Sequence, residues 1–314
     1  IITPIIIYRT INIILIQSKF NLYSHRIRIN LNNLMGDKVK IAKEKFILRK
    51  KEFVTPHLIR VYMENNDVSF FEDTTLGGTC KLLFPPLGIR DIHYAEYDAE
   101  NKKWISPSDK FKPVSRTYTL RDIDTENNQV VIDIANHGLN GPGSRWANEA
   151  KVGDMIGVSM KSKKKELAPK ADFILLAADL TGLPVISTII ESLSANTKGI
   201  VCVEVPTEND IHTIETKADL EFKWIINPNI GQGTALHTLV NSQKYPKRKD
   251  GKRFAYVAGE SKSVKEIKSF FKDDLEWKKD EFYCTSHWKA GKAEKNALEN
   301  CHDKIEQELL VRVF

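Results

Sequence analysis

The 314-residue chain contains no Cys-x-x-Cys pair: Cys80, Cys202, Cys284 and Cys301 are scattered, and none stands at metal-ligand spacing from a histidine. A cysteine-built metal box is thereby excluded. Cys202 and Cys284 sit in apolar, strand-like runs, as buried reduced thiols do, and a cytoplasmic, reducing compartment is expected. There is no Gly-x-Gly-x-x-Gly, and Gly231-Gln232-Gly233 is too short to replace it. A nucleophilic triad and a paired-carboxylate motif are also missing, so any chemistry here leans little on protein acids and bases. Charge is nearly balanced, 47 Lys and Arg against 41 Asp and Glu, a net of +6. That excess suits anionic cofactors and substrates but is too small to argue for nucleic acid. The local basic runs, Lys161 with Lys163 to Lys165 and Lys244 with Lys247 to Arg253, read as solvated loops. With only Tyr245 as an aromatic inside them, they support a nucleic-acid or anionic-surface binder weakly. Pro4 to Ile7 and Ile13 to Ile16 are apolar, but Arg9 splits them and neither is long enough to span a bilayer. Residues 1–34 are expected to be an extension, disordered or foreign to the native protein, because Met35-Gly36-Asp37 opens a normal domain start.

Ser115-Arg116-Thr117-Tyr118-Thr119-Leu120-Arg121 alternates at a two-residue period. On a strand, Arg116, Tyr118 and Leu120 share one face, and Thr117 and Thr119 the other. One face then carries both a cation and a flat ring. About 25 residues later come Asn136-His137-Gly138 and Gly141-Pro142-Gly143-Ser144-Arg145-Trp146, a Gly/Pro turn in which Ser144 reads as a helix N-cap. Free amides and the positive dipole end there favour a pyrophosphate. Arginine, aromatic ring and helix start together suit a flavin dinucleotide.

The chain divides into two styles of patterning. From about 45 to 165, short alternating segments separated by Asn/Gly turns indicate an antiparallel barrel. After Pro169, near-continuous apolar strands such as Phe173 to Ala177, Ile200 to Val205 and Phe254 to Ala258 alternate with helix-like segments, as in a buried parallel sheet. The expected organisation is a 35–165 barrel domain and a 166–314 α/β domain. Ala178-Asp179 ends the first strand of the second domain, and Thr181-Gly182-Leu183-Pro184 starts a helix at the sheet's carboxyl edge, where nucleotides bind. Asp179 is a candidate for a ribose hydroxyl or the nicotinamide end, and Thr181 either contacts a phosphate or caps the helix. Gly259-Glu260 closes the fourth strand, with Ser261 as N-cap of a helix over Val264 to Phe271.

These blocks in this order resemble the siderophore-interacting protein family, flavin-dependent ferric-siderophore reductases of the ferredoxin-reductase-like superfamily. The resemblance also takes in Val54 to Val61, Lys81-Leu82-Leu83-Phe84-Pro85, Ala178 to Ile186, Tyr256 to Glu260 and His287-Trp288-Lys289-Ala290-Gly291, about residues 45 to 292 in all. It implies a β plus α/β protein: an N-terminal antiparallel Greek-key β-barrel for the flavin and a C-terminal parallel-sheet nucleotide-binding domain, with a substrate-site segment at its end. The implied cofactors are FAD, held by Arg116, Thr117, Tyr118, Thr119, His137, Gly143, Ser144 and Trp146, and NAD(P)H, held by Asp179, Thr181, Leu183, Gly259 and Glu260. The implied substrate is a ferric siderophore met by Lys81, Lys289 and Lys262 or Lys292. No metal site, nucleic acid or membrane insertion is expected, and a monomer suffices. Leu180 and Gly182 depart from the family's Gly-Asp-Glu-Thr-Ala-Leu-Pro pattern, and the missing carboxylate at Leu180 leans toward NADPH. His287 stands where the family has Tyr, to contact the substrate or to pack. A same-fold flavin reductase with a protein or quinone acceptor is the alternative.

Overall fold

The computed structural model describes residues 40–98, 100–232 and 235–292. The expectations for residues 1–34 and for Cys301 lie outside the described residues. The first half is a closed six-stranded barrel in the order β1 (Lys40–Thr55), β2 (Leu58–Glu64), β7 (Gln129–Ala135), β6 (Val114–Asp124), β3 (Thr79–Phe84), β8 (Met155–Ser162). A small hairpin, β4 (Glu96–Asp98) and β5 (Lys103–Ile105), rides in the excursion between β3 and β6. The alternation seen in the sequence is what closes the barrel. Phe46, Leu48, Ile59, Val61, Met63, Leu82, Phe84, Val130, Ile132, Ile156 and Val158 point inward at every second position and form one buried cluster. Helix α1 (Pro142–Glu149) lies against β7 and β3, with Trp146 and Ala147 in that cluster.

The second half is a five-stranded parallel sheet ordered β11 (Asp219–Ile226), β10 (Lys198–Val205), β9 (Phe173–Asp179), β12 (Arg253–Glu260), β13 (Phe282–Trp288). The three inner strands, β10, β9 and β12, are near-continuously apolar and buried because both their faces are covered, whereas the edge strands β11 and β13 carry exposed polar residues. Leu176 and Ala178 face α2 (Leu183–Ser192), while Leu175 and Ala177 face the side of α3 (Ala235–Asn241) and α4 (Ser261–Ser269). The first strand, β9, pairs with β10 on one side and β12 on the other, so the chain reverses its winding there and leaves a crevice at the carboxyl ends.

Barrel and sheet share apolar surface: Leu58, Val54 and Ala135 pack into the cluster on the α2 face. Arg121 of β6 pairs with Glu191 of α2, and a Cβ at Gly77 would meet Thr188 Oγ1 at 2.2 Å, so barrel and helix touch closely. The two basic runs fall on different connections, between β8 and β9 and between α3 and β12. Arg253 in the second run is spent on Glu281 at 3.0 Å and on the Trp277 ring at 4.5 Å. Burial pushes the thiols of Cys80, Cys202 and Cys284 up to about 12; Cys80 and Cys202 are buried and Cys284 is half-buried. No helix among the described residues is long and apolar enough to cross a membrane.

Candidate functional site

In the β3–β6 ladder, Cys80 faces Tyr118 and Leu82 faces Arg116, so Arg116 and Tyr118 share the barrel's inner face near its mouth. Lys81 faces Thr117 and Thr79 faces Thr119 on the outer face. The Lys81 ammonium donates to the Thr117 hydroxyl, and Thr119 is buried. Tyr118 stands edge-on to Phe84, with centroids 5.9 Å apart, and its hydroxyl lies against the start of α1. A Cβ at Gly143 would meet that oxygen at 1.8 Å, so only glycine lets the ring lie there.

Helix α1 begins earlier than its sequence suggests. Pro142 takes the first helical position and Gly141, at φ 78°, precedes it as the cap, whereas Ser144 sits in the third position. The Ser144 hydroxyl is drawn elsewhere: it accepts from the His137 amide at 2.9 Å and donates to the Gly138 carbonyl at 2.6 Å. The first intrahelical bond runs from the Arg145 amide to Gly141. The amides of Gly143 and Ser144 therefore have no partner within the helix. Trp146 is buried against Phe84 as part of the barrel core. His137 is exposed, and its backbone, through Ser144, belongs to the loop before α1.

Asn136 organises this loop. Its Oδ1 accepts from the Gly138 amide, Ser144 and Asn148, and its Nδ2 donates to the Pro56 carbonyl at 2.9 Å. Lys51 closes the far end of α1 by donating to Ala147 and Asn148 carbonyls. The Asx-turn pattern of Asn136-His137-Gly138 carries a legible signal for the first role. Nothing in the sequence marks Lys51.

At the sheet's carboxyl edge, Asp179 is buried and its carboxylate is fully engaged. Oδ1 accepts from the Thr181 amide at 2.8 Å, the Thr181 hydroxyl at 2.6 Å and the Gly182 amide at 3.3 Å. Oδ2 accepts from the Glu260 amide and the Trp288 indole, both at 2.8 Å. Asp179 thus locks the ends of β9, β12 and β13 together, and Thr181 donates to it instead of capping α2, whose cap is Gly182. Gly259, at φ 155°, leaves only 2.7 Å between a notional Cβ and Asp179 Oδ2, so a side chain is barred there. Gly182 replaces the alanine of the motif because a Cβ would meet the Ala258 carbonyl at 2.4 Å. The Leu183 side chain is buried in the core beneath α2, and Leu180 lies in the same cluster, turned from the edge.

The α4 helix also starts earlier than expected, at Ser261, with Glu260 as its cap. Glu260 accepts from the Lys262 and Ser263 amides and, through its other oxygen, from the Ala290 amide at 3.2 Å. One buried carboxylate thereby anchors both turns that carry exposed lysines, Lys262 on one and Lys289 with Lys292 on the other. His287, exposed, donates from Nδ1 to the Thr181 carbonyl at 2.9 Å and so ties the end of β13 to the turn before α2. Glu204, at the end of β10, is buried beside Asp179 and takes a hydrogen bond from Asn227 at 2.5 Å. Burial, with the neighbouring Asp179 and Glu260, raises its pKa above the ordinary glutamate value.

A six-stranded antiparallel barrel joined to a parallel nucleotide-type sheet is the two-part architecture of the ferredoxin-reductase-like class. Residues 47–161 match the siderophore-interacting FAD-binding domain, and residues 171–291 match the siderophore-interacting protein model. The chain is 30% identical over 262 residues to the ferric vibriobactin reductase ViuB of Vibrio cholerae serotype O1, covering 82% of this chain and 94% of that protein. It therefore belongs to the siderophore-interacting protein family. Among solved structures, a siderophore utilization protein from T. fusca superposes with a TM-score of 0.68 at 23% identity, covering 82% of this chain and 98% of that one. The siderophore-interacting protein SipS from Aeromonas hydrophila gives 0.67 at 24% identity, covering 84% and 98%.

Proposed function

We propose that this protein is an FAD-dependent reductase of ferric siderophores that takes its electrons from a reduced pyridine nucleotide and releases iron as the ferrous ion. The observation that carries it is the barrel mouth: the Tyr118 ring lies over Gly143 at the open start of α1, with Arg116 on the same face. The donor set fits a flavin dinucleotide. Arg116 and the amides of Gly143 and Ser144 suit the pyrophosphate, while Tyr118, backed by Phe84, offers a flat apolar surface. Bound there, FAD would supply the conversion between two-electron hydride chemistry and the single electrons that ferric iron accepts.

The chain's own residues would position the rest. Gly259 leaves the crevice open to a nicotinamide, and the Asp179 network fixes that turn. Lys262, Lys289 and Lys292 present positive charge to an anionic chelate, with Lys81 contributing from the barrel. Ferrous iron binds hard oxygen donors more weakly than ferric iron does, so reduction loosens the chelate. The relative's name, a ferric vibriobactin reductase, supports the acceptor class. Reduced buried thiols support a reducing, cytoplasmic setting.

The test is spectroscopic. The purified protein should show a flavin spectrum that bleaches anaerobically with a reduced nicotinamide and recovers on adding a ferric chelate. Arg116→Ala removes a charge-assisted contact of about 1.5–3 kcal/mol, so flavin affinity should fall about tenfold or more. Lys289→Glu should raise KM for an anionic chelate and leave flavin reduction unchanged. Full flavin occupancy in Arg116→Ala would overturn the cofactor site. Turnover insensitive to Lys289→Glu and to salt would favour a protein or quinone acceptor.

A further inference from the structure

The carboxyl edge of the parallel sheet is divided by charge. Its exposed lysines, Lys262, Lys289 and Lys292, follow β12 and β13. On the other side of β9, the chain leaving β10 runs Glu204-Val205-Pro206-Thr207-Glu208-Asn209-Asp210-Ile211, with three carboxylates and no Lys or Arg. Glu208 and Asn209 are exposed, whereas Asp210 is buried. Hydrogen bonds hold Asp210 in place: the Thr207 hydroxyl donates at 2.7 Å, the His57 amide at 3.0 Å and His57 Nδ1 at 2.8 Å. Of the histidines nearby, His57 is spent on that carboxylate, and His212 donates from Nδ1 to the Asp210 carbonyl while its ring lies tilted against Trp224.

In a doubly wound sheet, the adenosine half of a dinucleotide lies over the end of the second strand. There, about 20 residues past the phosphate turn, an acidic residue takes a ribose 2′-hydroxyl, whereas an arginine nearby accommodates a 2′-phosphate. In this chain the turn is Thr181-Gly182 and the second strand is β10; Glu204 at its end is buried and held by Asn227, so the exposed carboxylate past that end is Glu208. The exposed lysines follow β12 and β13, on the far side of β9 from β10, so they belong to the other half of this edge. A 2′-phosphate there would meet Glu208, and residues 204–211 offer no lysine or arginine to compensate it. The absent carboxylate at Leu180 does not change this, because Leu180 is buried in the α2-face core.

We propose that the nucleotide site selects NADH over NADPH, with Glu208 as the specificity-determining residue after β10. The inference deepens, and rests on, the reading of the chain as a pyridine-nucleotide-dependent reductase. Its test uses the flavin-loaded protein and two redox-inert probes, ADP-ribose and 2′-phospho-ADP-ribose, titrated calorimetrically. ADP-ribose should bind at least about tenfold more tightly. Glu208→Arg, an exposed-loop change, should narrow or invert that ratio by raising affinity for the 2′-phosphorylated probe. Equal or tighter wild-type binding of 2′-phospho-ADP-ribose would overturn the selectivity, and an unchanged ratio in Glu208→Arg would overturn the assignment to Glu208. If neither probe binds and neither nicotinamide bleaches the flavin, the pyridine-nucleotide reading fails and the inference with it.

Discussion

Gly143 shows what the absence of one methyl group controls. Its backbone is ordinary helix, so conformational freedom does not explain the glycine; contact does. A Cβ would lie 1.8 Å from the Tyr118 hydroxyl, 2.9 Å from the ring carbon bearing it and 3.3 Å from Phe84. Gly143→Ala gains up to about 1 kcal/mol of helix propensity and loses about 1–3 kcal/mol to overpacking unless Tyr118 swings away. The expected outcome is a protein that folds with little change in Tm but purifies with much less flavin, because the ring surface has moved. Flavin-to-protein ratio after gel filtration, beside a thermal melt, checks this. In a Tyr118→Phe background the same substitution should be milder, since the nearest obstructing atom is gone. A Gly143→Ala protein with full flavin would show that Tyr118 does not set the site.

Among the elements, the sheet's carboxyl edge concentrates its organisation in one side chain. Asp179 accepts from donors on three structural segments, the turn before α2, the end of β12 and the end of β13. Asp179→Ala leaves the buried Glu260 amide and the Trp288 indole without their acceptor, and each such loss costs about 1–3 kcal/mol. A denaturant midpoint should fall by several kcal/mol equivalent, and Trp288 emission should shift as its indole is released, while the barrel's flavin spectrum in the folded protein stays unchanged. Unaltered stability would mean the edge is held by something else. The strands of both halves were legible, because the period-two alternation of β6 and the unbroken apolar run of β9 each reflect how many faces are buried. Cap positions were not. Ser144 looks like a cap but is recruited by the 136–138 loop, and Glu260, a residue before the expected Ser261, folds onto its own helix. Trp146 and Leu183 sit inside motif blocks yet serve the core, a distinction that needs the neighbouring strands to be seen. The convergence on Asp179 comes from residues up to 109 positions apart, beyond any local pattern.

Across the whole molecule, Asp210 and His57 connect the two halves. His57 stands in the turn between β1 and β2 and donates to Asp210 from both its amide and its ring, while its carbonyl accepts from the Asn136 amide at 2.8 Å. A continuous hydrogen-bonded chain therefore runs from the loop after β10, through the barrel turn, to Asn136 and Ser144 at the start of α1. Burial opposes ionisation of Asp210, but hydrogen bonds from Thr207 and His57 outweigh it and hold its pKa below the usual aspartate value of 3.8. A carboxylate with a depressed folded pKa binds protons more readily when unfolded, so its stabilisation is complete above the unfolded value and is lost as pH falls through the folded one. Asp210→Asn should therefore be less stable than the parent at pH 7, by about 1–3 kcal/mol, with the two denaturation curves converging below about pH 4. Since the same chain ends at the loop proposed to hold the flavin, the variant should also release flavin faster at neutral pH. A stability gap independent of pH would assign the loss to packing, and unchanged flavin release would show that the barrel turn isolates α1 from the nucleotide half.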